Sequence, residues 1–414
     1  MENHDRHMKS SLSLSRREFV KTTAGTASAL AALPTAGKAA IGAQTQAKPA
    51  TLDEAHKHYE EQFHQMETYF QRLIEERAPA VRAAAWRRDY ASVDAYRRSV
   101  APMRERLIEL LGGWPPREDR ASGAQPRMEP IELTGSQYPF TAKRVWLPAW
   151  KGVETYGVLL EPRDIPAGER RPAVIAQHGY GGFPEATCGL AEIPGTEYLR
   201  AFGRTLAERG YVVFAPLVMH SDLQRLKKLP VIDRTWLDRL ALMVGCQFQA
   251  WELFKITRVV DLLQSLPNVR ADRVGIMGIS QGGLTALLSA AMEERIAACV
   301  SSGYFNNRTN KMVKRSPHYT AYIGTQEADK FFRGHLLAFE DADVASLICP
   351  RPFCVEVGRK DPVTWWPDVQ GEFERARAHW AKLGLAERTT WALHDQEHVV
   401  DGVEAFRFLD RWLK

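Results

Sequence analysis

No apolar run in the 414 residues approaches the roughly 20 needed to span a bilayer, so no stable membrane insertion is expected of the mature chain. Cysteine is scarce. Cys188, Cys246, Cys299, Cys349 and Cys354 fall at no metal-ligand spacing and form no disulfide framework, which leaves mostly buried thiols as the expectation. Histidines do not cluster as ligands either: His56, His58 and His64 sit on one helical stretch and read as solvent-facing. No metal and no cofactor are expected. A strong charge of one sign is also lacking. Lys and Arg number 55 against 50 Asp and Glu, and without the first 45 residues the balance falls from +5 to +2, with 49 basic and 47 acidic residues. A surface so nearly balanced carries no nucleic-acid footprint. Internal repeats and low-complexity tracts are absent as well.

What is present begins at the N-terminus. Ser15-Arg16-Arg17-Glu18-Phe19-Val20-Lys21 resembles the twin-arginine export signal; a mildly apolar run of small residues, 24–32, follows, and then further small residues between 36 and 43. Basic, apolar and small-residue regions in that order mark a targeting segment. Residues 1–45 are therefore expected to be a twin-arginine-type signal peptide, and the chain to be exported to the periplasm or beyond.

Between 51 and 126 the pattern is helical. Ala55, Tyr59, Phe63, Met66, Phe70 and Leu73 recur at helical spacing, and a second helix is expected over 92–111, ending before Gly112-Gly113 and Pro115-Pro116. This reads as a helical N-terminal extension. From about 128 to 414, short β-rich runs alternate with helical ones, the signature of a mostly parallel sheet with crossover helices. Strands are expected at 143–147, 155–160, 173–177, 211–215, 273–277, 297–301, 352–357 and 389–393. Eight strands flanked by helices, the first two forming a hairpin, match the α/β-hydrolase layout in number and order.

Gly278-Ile279-Ser280-Gln281-Gly282 lies between a predicted strand and a predicted helix. A serine on such a turn is held in a strained backbone with its hydroxyl at the carboxyl edge of the sheet, above a helix N-terminus that favours developing negative charge. Ser280 is the candidate nucleophile. A serine hydroxyl needs a base, and in this layout acid and then histidine follow the serine in the chain. His398, in the loop before the last helix, is preferred as base over His394, at the end of the last strand. Asp361, in the loop after strand 352–357, is preferred as the orienting acid over Glu356, which lies inside that strand. For the oxyanion the candidates are the backbone N–H groups of Gln281 and Tyr180, the latter in His178-Gly179-Tyr180-Gly181-Gly182. His178 itself reads as a buried residue tying down that loop. Trp365 and Trp366, in the loop with Asp361, and Tyr304, from a neighbouring sheet-edge loop, are candidate substrate contacts suited to a bulky alcohol or a sugar.

These motifs, with Ser302-Gly303-Tyr304 and Gly358-Arg359-Lys360-Asp361-Pro362, resemble the bacterial α/β-hydrolases grouped with dienelactone hydrolases and acetyl xylan esterases. The resemblance spans about 128 to 414 and implies a serine esterase acting on small-molecule or carbohydrate esters, acetyl esters among them, without a cofactor. It assigns Ser280, Asp361, His398, Gln281 and Tyr180 the roles just given. Where deacetylases of acetylated xylan carry Arg-Gly-Gln, this chain reads Leu217-Val218-Met219-His220. Two rivals differ in class. A serine peptidase of the prolyl oligopeptidase-like group needs a propeller domain, for which 51–126 is too short, and a non-catalytic binding protein needs a lost triad member. Position 280 is Ser rather than Cys, which excludes a thiol-based dienelactone hydrolase.

Overall fold

The computed structural model describes residues 51–414 apart from 122–124, 136, 220–233, 315 and 320–329. The expected signal segment, 1–45, lies outside the described residues. The chain divides into two compact units, Met1–Gln62 and Phe63–Lys414. In the first, the helix Leu52–Arg72 begins. Thr51 Oγ1 accepts the Glu54 N–H at 3.2 Å while the Glu54 carboxylate accepts the Thr51 N–H at 2.7 Å, a reciprocal cap for N–H groups the helix cannot satisfy itself. His56 and His58 are exposed on it.

The second unit is built on one sheet. Its strands are β1 (Arg127–Ile131), β2 (Phe140–Trp150), β3 (Val153–Pro162), β4 (Arg171–Gln177), β5 (Val212–Pro216), β6 (Val269–Ile279), β7 (Ile296–Ser302), β8 (Phe353–Gly358) and β9 (Thr389–His394). The order across the sheet is β1-β2-β3-β5-β4-β6-β7-β8-β9. The first four in that order pair antiparallel and the remainder parallel. This is the α/β-hydrolase fold, with all eight expected strands and one more, β1. That short strand holds Pro130 and stays largely exposed along the edge, where a residue without an N–H is tolerated; neither alternation nor a buried run announced it.

Parallel strands covered on both faces must be apolar throughout. Successive side chains of β4 and β5 accordingly enter opposite layers: Ala173, Ile175, Val212 and Phe214 belong to one core, and Val174, Ala176, Val213 and Ala215 to the other. Helices Phe248–Ser265, Gln281–Met292 and Trp366–Lys382 fill the first layer, and Phe202–Glu208 with Val403–Leu413 the second. The helix Val93–Leu110 starts on Ser92, whose Oγ accepts the Ala95 N–H at 3.1 Å, and buries Tyr96, Val100 and Leu107 in the first layer. Arg104 on it reaches the carbonyls of Ala291 and Leu347 at 2.9 and 3.0 Å. All five cysteines are buried and unpaired. No helix among the described residues is long and apolar enough to cross a membrane.

Candidate active site

β6 runs straight into the helix Gln281–Met292, and Ser280 forms the whole of the turn between them. Its φ of +58° and ψ of −123° lie outside the regions open to side-chain-bearing residues. The backbone is held there by Ser280 N–H donating to the Ser302 carbonyl at 2.9 Å. Both motif glycines are required by contact. A Cβ on Gly278 would collide with the Gly282 carbonyl, and one on Gly282 with the carbonyl of Gln177. The spacing of this motif therefore follows from three backbones crossing at one point.

The candidate acid and base come from the next strand ends. β7 pairs with β6 on one side and β8 on the other, so the loops after these strands open on one edge of the sheet. Asp361, in the loop after β8, is buried, and its Oδ1 accepts the N–H groups of Val363 and Thr364 at 2.7 and 3.2 Å. Its Oδ2 lies 2.8 Å from His398 Nδ1. An ionised carboxylate only accepts, so Nδ1 carries the proton and Nε2 keeps a lone pair. Gly303, with φ +57°, lies directly beneath this pair: a Cβ there would stand 2.9 Å from His398 Cε1 and 3.1 Å from Nδ1. Tyr198 stacks on the imidazole, with ring centres 6.2 Å apart, and donates its hydroxyl to the Tyr180 carbonyl at 2.9 Å.

On the other side of Ser280 lies the loop after β4. A Cβ on Gly179 would stand 2.9 Å from Ser280 Cβ, so the loop touches the serine. His178 is fully buried; its Nε2 accepts the Val218 N–H at 3.2 Å, which leaves Nδ1–H to donate to the Gly179 carbonyl at 2.9 Å. That is the loop-tying role read from the sequence. Gln281 opens the helix, where a backbone N–H has no helical partner. Its side chain is fixed by donation to Gln249 Oε1 at 2.9 Å, an oxygen that also accepts from Arg234 at 2.5 Å. Lys330 lies over the Tyr180 ring, 4.1 Å from its centre.

The structure thus brings His398 to Asp361 over Gly303, and Gly179 to Ser280, whose N–H bonds the carbonyl of Ser302 next to Gly303. His394 stays at the end of β9, where its Nδ1 accepts the Gln396 N–H at 3.3 Å. Tyr304 is buried and accepts a hydrogen bond from Arg308 at 2.7 Å. Trp365 is stacked on His318 at 4.1 Å, and Trp366 packs against the core beneath Arg359, 5.0 Å from its ring centre. Tyr198 and Gly303 were not singled out from the sequence. A tyrosine gives no local signal of a role, and Gly303 stood only as part of a family motif. Among the described residues no group of three or more His, Cys, Asp or Glu is placed to hold a metal.

Glu356, the sequence rival of Asp361, does other work. Fully buried in β8, it accepts the Ser302 hydroxyl and the Gly402 N–H, both at 2.8 Å, and so ties the end of β7 to the segment after His398. Desolvation raises its pKa from 4.5 to about 7, against those two hydrogen bonds. Because the folded pKa lies above the unfolded one, wild-type stability falls as pH climbs from 4.5 through about 7. Glu356→Gln lacks this titration, so its stability relative to wild type should rise over the same window, measured by thermal unfolding at each end. Since one acceptor oxygen remains, its kcat should fall by less than about tenfold.

Residues 153–397 match the family model described as "Putative esterase". "Putative hydrolase YtaP" of Bacillus subtilis is 30% identical over 253 residues, 58% of this chain and 79% of that protein. Among solved structures, an acetyl xylan esterase assignment from Bacteroides fragilis superposes with a TM-score of 0.59 at 15% identity, over 79% of this chain and 81% of that one. Acetyl xylan esterase 1 of Thermoanaerobacterium sp. does so with a TM-score of 0.50 at 17% identity, over 76% and 94%. These two share the fold.

Proposed function

The chain belongs to the esterase family, and from that premise we propose that it hydrolyses carboxylic esters through an acyl-enzyme on Ser280. In this reading His398 Nε2 takes the Ser280 proton as Oγ attacks the ester carbon. The N–H groups of Gln281 and Tyr180 receive the oxyanion, and Asp361 stabilises the imidazolium. His398 then gives the proton to the departing alcohol. Water, activated by the same imidazole, releases the acid. The 2.8 Å contact between His398 Nδ1 and Asp361 Oδ2, beside the Ser280 turn, supports this most directly. A peptidase would use the same groups; family membership favours the ester. Acetyl esters, including those of carbohydrates, are within the proposed class, in keeping with the names of the proteins that share the fold. Export by the twin-arginine route belongs to the proposal too and rests on residues 15–21.

Mixing enzyme with p-nitrophenyl acetate should release a burst of nitrophenol matching the enzyme concentration, with an acetyl group on the Ser280 peptide in mass spectra of acid-quenched samples. An acetyl group on another residue, or turnover with no acyl adduct under any quench, would contradict the covalent route.

A further inference from the structure

A cavity of about 470 Å³ lies beside the helical segments around residues 70–78. Phe70, Leu73, Ile74, Met312 and Phe332 supply much of its wall, and no acidic side chain is among the described residues that line it. One polar side chain stands out. His335 is 4% exposed, and neither ring nitrogen has a hydrogen-bond partner. Phe332 and Phe339 pack against the ring, with centres 5.5 and 5.7 Å away. Burial, then the charges of Arg308 and Arg82, hold its pKa well below the usual histidine value. The imidazole is neutral there, with one donor and one acceptor to offer. A buried polar group left unpaired works against the fold, and such sites concentrate where a ligand completes them.

Two residues of the cavity wall, Arg308 and Lys330, touch side chains of the loops around the candidate site. Arg308 donates to the Tyr304 hydroxyl at 2.7 Å, and Tyr304 directly follows Gly303, the residue under His398. Lys330 covers the ring of Tyr180 in the loop against Ser280. An alcohol leaving group must lie on the imidazole side, because the imidazolium protonates it. We propose that this cavity receives the alcohol portion of the ester, a ring or branched hydrocarbon carrying a hydroxyl or carbonyl oxygen that pairs with His335. The assignment rests on ester hydrolysis at Ser280 and names the alcohol within that reading.

The test uses three acetates: 6-hydroxy-2-naphthyl acetate, vinyl acetate and glucose pentaacetate. In His335→Leu, and separately in Leu337→Trp, the ratio of kcat/KM for the naphthyl ester to that for vinyl acetate should fall by about tenfold or more. Leu337 is 41% exposed at the cavity, so the tryptophan can be added there with folding checked by the thermal midpoint. Binding of 2,6-dihydroxynaphthalene to Ser280→Ala, which needs no turnover, should weaken to the same degree when either change is added. An unchanged ratio with unchanged diol binding would overturn the assignment and leave the esterase reading standing, as would a wild-type preference for the glucose ester insensitive to both changes. If no acetate is hydrolysed, the ester reading fails and the substrate assignment with it; diol binding that depends on His335 would then identify a ligand site of another kind.

Discussion

Ser280→Ala is expected to lower kcat for p-nitrophenyl acetate by about 10⁴ to 10⁶ while leaving the fold and the His398–Asp361 contact in place. The size follows from chemistry: no other hydroxyl occupies the strained turn that aims Oγ at the sheet edge. The side chain's removal should not cost stability, because alanine at φ +58° suffers the same backbone strain as serine and the turn is held by the main-chain bond to Ser302. Melting points of the two proteins should agree closely. His398→Ala should lose a comparable factor, and the double variant little more, since base and nucleophile act as a unit. His394→Ala should cost far less, its imidazole being engaged with the Gln396 N–H. A Ser280→Ala protein retaining more than about one per cent of wild-type turnover would remove the nucleophile from this residue.

The turn at Ser280 and the two loops that meet beside it could be read from the sequence because their signals are local. Strand, glycine, serine, glycine and helix follow one another within a short stretch, and Asp361 and His398 sit in the loops that end the last two strands. The parallel core was legible for a similar reason, since strands covered on both faces are written as unbroken apolar runs. What stayed hidden depends on contacts between distant residues. Tyr198 meets His398 across 200 positions of chain, and nothing around it in sequence announces the pairing. Glu356 looked like an acid inside a strand, and its partners Ser302 and Gly402 come from two other elements. His335 is one histidine among twelve until burial and the lack of a partner set it apart. Trp365 and Trp366 were legible as neighbours of Asp361, but not that His318 and Arg359 lie over their rings.

Asp361→Asn tests the electrostatic half of the site, with an expected loss of roughly 10⁴ in kcat. The surroundings dictate how the amide must sit. Two backbone N–H groups, from Val363 and Thr364, point at Oδ1, so the asparagine carbonyl is held there and its NH₂ is turned toward His398 Nδ1. A donor at that position forces the imidazole to accept through Nδ1 and to carry its proton on Nε2. Nε2, the proposed base, then has no lone pair for the serine proton, although no atom has moved appreciably. In wild type the Nδ1 proton, held 2.8 Å from a carboxylate, should give a downfield NMR resonance; in the variant that resonance should vanish, while KM changes little. Glu356→Gln, by contrast, should keep the resonance, since the Glu356 carboxylate bonds to Ser302 and Gly402 rather than to His398 or Asp361. Should Asp361→Asn fall by less than tenfold and Glu356→Gln by a thousandfold or more, judged against that scale, the orienting role would pass to Glu356 and the fold would be using the strand rather than the loop to hold its base.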